Sequence, residues 1–229
     1  MTDTFATTIQ NAYTETKQAF MSWSALESYR RLVCPPAVSP DPGFAIFYTA
    51  PRYKPDLAIV GQNPSNFAGR GPWTAEPNRT MLSGSIPNRN SYQEDKHFFA
   101  EALGSLFAGH ETLLAEAVGL NVWHFQASSS EAREAPKDLM AFCEATTLSI
   151  VRAMQPKAII CFGRPAFCTL TGRSSGHHVA GTLRGEWLDV DGSRVWFVYH
   201  PSASWARNVA VHDTPLVVAE VAAYIRQRS

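Results

Sequence analysis

The chain has 229 residues, enough for one α/β domain or two small ones around a sizeable apolar core. Apolar residues make up 45%, and 20 Lys and Arg balance 20 Asp and Glu, so the formal net charge is zero. That balance excludes a bulk basic signature, and a nucleic-acid partner would have to be met by a local patch. No apolar run of signal-peptide length opens the sequence and no stretch of 18 apolar residues occurs, so the expectation is a cytoplasmic protein without membrane contact. Cys34, Cys143, Cys161 and Cys168 form no C-x-x-C pair and read as reduced thiols.

In chain order, residues 4–32 read as one or two helices, followed by a Pro-rich loop to Gly43. Phe44 to Tyr48 is a short apolar run suited to an edge strand. Leu57 to Val60 reads as a buried strand between Pro55-Asp56 and Gly61. Residues 65–92 form a long loop rich in Pro, Gly, Asn and Ser, and long loops in compact domains usually carry function. Helical signals cover Gln93 to Phe107 and Glu111 to Ala117, and Leu120 to Phe125 reads as a strand. Pro136 opens a helix that runs to Met154, with Leu139, Phe142, Cys143, Thr146 and Ile150 at roughly helical spacing. Lys157 to Phe162 is a buried strand, Gly163 a turn and Pro165 to Thr171 a helix. A hairpin turning at Asp191-Gly192 leads into a strand over Arg194 to Tyr199, and Thr214 to Arg228 closes the chain as an amphipathic helix.

Alternating strands and helices point to an α/β sandwich with a mostly parallel sheet. Ligands bind such sheets outside the carboxyl ends of the strands. Polar residues stand just past the apolar runs there: Gln62 and Asn63, Asn121, Gly163-Arg164 and His200. The reading is one cleft lined by Asn63, Asn121 and His200. Gly61, Gly69 and Gly71 match neither the P-loop nor the dinucleotide pattern, so the loop after Gly61 is either an ordinary Asn-Pro turn or an amide-lined ligand loop. His200 is either a satisfied structural residue or an imidazole aimed at the strand edge by the Pro201-Ser202 turn. Asn121 either caps a neighbouring backbone group or reads a planar ligand. None of the seven histidines lies in H-E-x-x-H or in a Cys/His cluster of ligand spacing, so no metal site is expected. The G-x-S-x-G elbow of a serine hydrolase is absent as well.

Three segments in order, "GQNPSNF…GPW", "LNVW" and "VYHPSASWARN", resemble the signature segments of the uracil-DNA glycosylase superfamily. The first is similar to the loop of its single-strand-selective and mismatch-specific branches. The second half, from "QPKAIICFGRPAFCTLTG" to "YHPSASWARN", is similar to the iron–sulfur bacterial branch. The resemblance runs from about Asp56 to the C-terminus. It implies an α/β/α three-layer sandwich around a mainly parallel four-stranded sheet. The expected organisation is one such domain over residues 1–229, with residues 1–50, outside the resemblance, as a helical N-terminal extension.

The resemblance also implies a monofunctional DNA glycosylase of base-excision repair, acting as a monomer on DNA that carries uracil or a related damaged base. His200 and Asn63 take the catalytic positions, His200 as donor to the departing base and Asn63 as holder of the attacking water. Gln62 contributes backbone, Asn121 reads the uracil edge, and Trp73 or Phe67 stacks on the flipped base. Trp205 is the wedge into the duplex, with Ser202, Ser204 and Arg207 contacting DNA. No cofactor is expected: Cys34 stands alone, and Phe125 occupies a place where the iron–sulfur branch has a cluster cysteine, with Cys143 matching another. Asn63 stands where the fastest branch has Asp, and an amide cannot act as a general base. Two rival readings are a divergent nucleic-acid binder without turnover and a hydrolase of free nucleosides.

Overall fold

The computed structural model describes residues 2–34, 42–64, 82–94, 98–128, 132–173, 187–200 and 207–228. The chain divides into two compact units that share it in alternating segments. The first holds Met1–Phe47, Asn63–Ile86 and Asn121–Ala153, and the second Tyr48–Gln62, Pro87–Leu120 and Met154–Ser229.

The second unit carries the sheet. Its strands are β1 (Leu57–Gly61), β2 (Val118–Asn121, whose last residue belongs to the first unit), β3 (Ala158–Phe162), β4 (Trp187–Val190) and β5 (Ser193–Val198). The order across the sheet is β2-β1-β3-β5-β4. β1, β3 and β5 run parallel, with Val60 beside Cys161 and Cys161 beside Phe197. Every residue of β1, β2 and β3 is buried, as continuous apolar runs in a parallel sheet require. Burying Leu57 or Ile59 contributes about 1.5–3 kcal/mol each.

β4 runs antiparallel to β5 and alternates between exposed and half-buried positions, the pattern of an edge strand. The hairpin turn has positive φ at Asp191 (50°) and Gly192 (86°), as a two-residue turn of the type I′ class demands. The sheet therefore has five strands rather than the four implied by the resemblance, because the expected hairpin adds β4 at the edge. The architecture is mixed α/β with a mostly parallel sheet.

Other boundaries differ from the sequence reading. Phe44 to Tyr48 forms no strand. It makes single bridges and backbone bonds instead, Ala45 N–H to His124 O at 3.0 Å in the first unit and Tyr48 N–H to Gly119 O at 2.8 Å in the second. The strand expected over Leu120 to Phe125 lies earlier, at Val118–Asn121. Residues 122–125 continue as a buried loop whose apolar side chains mimic a strand pattern. The helix expected over Gln93 to Phe107 is two helices, α3 (Ser91–Glu94) and α4 (Phe98–Leu106), followed by α5 (Glu111–Glu116).

α7 (Arg164–Thr171) takes Pro165 in its first turn and ends at Gly172 with φ 68°, as helix starts and stops favour. The last helix, α8 (Arg207–Gln227), begins at Arg207 rather than Thr214 and carries Pro215 inside it.

The first unit is helical and aromatic. α1 (Thr2–Trp23) buries Phe5, Ile9, Ala12, Tyr13, Thr16 and Phe20 along one stripe. Tyr13 and Phe20 pack on Phe44 at centroid distances of 5.7 and 5.5 Å. α2 (Glu27–Val33) presents Tyr29, which donates to the Asp138 carboxylate at the start of α6 (Lys137–Met154). Trp23 meets Phe142 of α6 edge-on at 5.5 Å.

Candidate active site

In the second unit, β1, β3 and β5 all deliver their following residues to the carboxyl edge of the sheet. Gln62 follows β1, half-buried, and Gly163 N–H donates to Val198 O at 2.9 Å. Two residues past β5, His200 lies flat on Phe99 of α4, with ring centroids 5.0 Å apart and planes within 8°. Phe162, the last residue of β3, meets the imidazole edge-on at 6.4 Å and 82°. The ring sits deep among these aromatics, and the residue as a whole is half-buried. Burial lowers its pKa to about 4. His200 is therefore a neutral imidazole at neutral pH, with one ring N–H to donate.

In the first unit, Asn63 donates from Nδ2 to Pro64 O at 2.9 Å and to Ala127 O at 2.8 Å. Both partners are carbonyls, which only accept, so the amide can be oriented one way only. Its nitrogen ties the turn to the 127 loop, and its oxygen Oδ1 is turned to the other side. Ala127 N–H returns a bond to Pro64 O at 3.4 Å.

Asn121 is fully buried. Its backbone N–H donates to Ile46 O at 2.8 Å and its Nδ2 to Ala45 O at 3.1 Å. Its carbonyl accepts from Thr147 Oγ1 of α6 at 2.9 Å. Oδ1 is buried with no hydrogen-bond partner. A buried amide oxygen left unmatched costs about 1–3 kcal/mol, while Nδ2 caps the Ala45 carbonyl.

Phe67, Trp73, Ser202, Ser204 and Trp205 lie outside the described residues, and Arg207 opens α8 without a described side chain. Among the described residues, no three His, Cys, Asp or Glu side chains group to hold a metal ion. The residues at the compared cysteine positions do not fit an iron–sulfur cluster. Phe125 is fully buried and stacked on Trp123 at 6.1 Å. Cys143 is fully buried too, and burial pushes its thiol up to about 12, so one thiol at these two positions cannot hold a four-cysteine cluster. No helix among the described residues is long and apolar enough to cross a membrane.

The profile of the Uracil DNA glycosylase superfamily matches residues 47–216. The chain belongs to the uracil-DNA glycosylase superfamily. No curated protein matches it. A uracil-DNA glycosylase superfamily domain points to DNA glycosylase chemistry in general, with DNA as the substrate. The matched segment contains the whole sheet and Gln62, Asn63, Asn121 and His200, while α1 and α2 precede it.

Several residues that contact these side chains carry no signal in the sequence. Phe99 and Phe162 read as core aromatics until their contact with His200 is seen. His124 and Thr147 also escape, one inside an apparent strand and the other on a helix face. The spacing of Cys143 and Thr147 on α6, four residues apart, was the available clue that position 147 faces the buried loop.

Proposed function

We propose that this superfamily member is a monofunctional DNA glycosylase that flips uracil or a related damaged base from the stack and hydrolyses its N-glycosidic bond. The observation that carries the reading is the one-way amide of Asn63. With both hydrogens committed to carbonyls, it offers Oδ1 to a water. Accepting a hydrogen bond from that water turns an oxygen lone pair outward for attack at the sugar carbon. Asn63 thus positions the nucleophile without taking a proton.

Bond cleavage leaves negative charge on the departing pyrimidine. A donor aimed at the oxygen that gains charge lowers the barrier most, and the neutral His200 supplies an N–H for that role. Backbone N–H groups of the Gln62 turn add to it. Asn121 reads the base. Its Oδ1 accepts from uracil N3–H, and the second hydrogen of Nδ2 donates to O4. Cytosine has the reverse pattern and would need the amide turned over, which would set Oδ1 against the Ala45 carbonyl. Leaving buried polar groups unpaired rejects the wrong base by about 10⁴-fold or more.

In this reading Trp73, or Phe67, stacks on the extruded base. Trp205 fills the gap in the duplex, while Ser202, Ser204 and Arg207 contact the strand. The enzyme acts as a single-domain monomer in the cytoplasm. A reading as a binder without turnover draws support from the zero formal charge and the amide at position 63. The test is release of free uracil from a deoxyuridine oligonucleotide, single-stranded and mismatched, beside free deoxyuridine. Cleavage of the oligonucleotides supports the proposal. Binding without release selects the binder, and hydrolysis of the nucleoside alone selects a small-molecule hydrolase.

A further inference from the structure

The buried surroundings of Asn121 contain a hydrogen-bond chain with a defined direction. Thr147 Oγ1 lies 2.9 Å from Asn121 O and 3.2 Å from Val122 O. Carbonyls only accept, so the single hydroxyl hydrogen is committed to them. The hydroxyl lone pair therefore faces His124 Nε2, 3.0 Å away. His124 must donate from Nε2, which leaves Nδ1 as a bare lone pair. That Nδ1 is buried without a partner, as is Asn121 Oδ1. Burial holds His124 neutral, with its pKa lowered to about 3, so the direction of the chain does not change across the neutral range.

A network kept only for stability has no use for two unmatched acceptors, since an apolar packing of similar shape avoids their cost. The polar residues are explained if the chain holds something whose orientation matters. Asn121 is that residue. Its N–H and Nδ2 are fixed by Ile46 and Ala45 on one side, and its carbonyl by Thr147 on the other.

We propose that Thr147 and His124 are positioning residues for base recognition: the chain His124 Nε2–H to Thr147 Oγ1–H to Asn121 O fixes the peptide that carries Asn121, so that Oδ1 stays presented to the N3–H of uracil. The proposal rests on the reading of Asn121 as the base reader. Neither residue touches the base. Their effect falls on the preference for uracil over cytosine rather than on general affinity for DNA.

The experiment measures binding of two non-cleavable oligonucleotides, one with 2′-fluoro-2′-deoxyuridine and one with 2′-fluoro-2′-deoxycytidine, to the full chain and its folded variants. Thr147→Val removes the hydroxyl at constant shape and His124→Leu removes the ring donor. Each lowers the uracil-to-cytosine affinity ratio by about tenfold, the loss of one net hydrogen bond. Thr147→Ser and His124→Gln, which restore a donor at the same place, return the ratio towards the parental value. Should Thr147→Val lose the native fold, the His124 pair makes the same comparison.

A parental ratio in both Thr147→Val and His124→Leu overturns the proposal, as does an equal weakening for both bases, which marks a structural role alone. Asn121→Ala separates the two levels. If it abolishes the preference while Thr147→Val keeps it, the chain fails and the base reader stands. If Asn121→Ala keeps the preference, or the parent has none, the reading of Asn121 falls and the chain's role with it.

Discussion

Asn63 is one atom exchange away from the aspartate of the fastest superfamily branch, and its hydrogen bonds state what that exchange would do here. Asn63→Asp would set a carboxylate oxygen against the Pro64 and Ala127 carbonyls, where Nδ2 now donates at 2.9 and 2.8 Å. The variant loses two bonds and gains repulsion. We expect a stability loss of about 2 kcal/mol and no gain in turnover, checked by urea denaturation and single-turnover rates. A faster Asn63→Asp enzyme would show that this turn is not built around an amide.

The two buried imidazoles give a pH prediction of definite sign. Folding lowers His200 to about 4 and His124 to about 3, below the ordinary 6.5, so the unfolded chain binds their protons first as pH falls. Their stabilising effect is complete above pH 6.5 and is lost as pH drops through 4 and then 3. Melting temperature should fall steadily on acidification below 6.5, and less steeply in His124→Gln. By the same shift, His200 contributes no limb to kcat/KM between about pH 5 and pH 8. An inflection near 6.5 that His200→Gln removes would contradict the neutral buried imidazole.

At the scale of elements, the helix pair α3–α4 and strand β2 fit together around one tyrosine. The Tyr92 hydroxyl of α3 is buried without a partner and sits where a side chain at Gly119 of β2 would begin. Tyr92 packs edge-on against Phe99 at 6.0 Å, the ring that carries His200. Tyr92→Phe removes an unmatched buried hydroxyl and should raise stability by about 1 kcal/mol with activity unchanged. Gly119→Ala forces a methyl into the tyrosine and should cost at least 1–3 kcal/mol. Thermal melts of the two variants check the pair, and a tolerated Gly119→Ala would mean the contact yields easily.

Elements were legible in the sequence where burial is continuous. β1, β3, α6 and the β4–β5 hairpin follow from apolar runs, helical spacing and Asp191-Gly192, signals that local physics enforces. Phe44 to Tyr48 and residues 122–125 misled because an apolar extended segment can satisfy its backbone by scattered bonds, such as Ala45 N–H to His124 O, without joining the sheet. Of the proposed site residues, Asn63, Asn121 and His200 stand out in the sequence as polar residues just past apolar runs. Phe99, Thr147 and His124 do not, because their roles depend on partners 101, 26 and 23 positions away.

For the whole molecule, a zero formal charge limits how strongly DNA can be held by electrostatics alone. Cations near the amino edge of the sheet are matched, Lys157 by Asp56 at 2.8 Å and Arg194 by Asp189 at 2.9 Å. Binding to a single strand should then weaken with salt by a log–log slope of about 3 or less, each phosphate contact adding about 0.7. A slope near 10 would reveal a basic face that the charge balance hides.

The most direct measurement is the single-turnover release of uracil from a single-stranded deoxyuridine oligonucleotide by the parent, Asn63→Ala and His200→Ala, all folded. The account predicts release by the parent and a loss of about 100-fold or more in each variant, the scale of removing a transition-state donor. No release by the parent at high enzyme concentration, or equal release by all three, would contradict it.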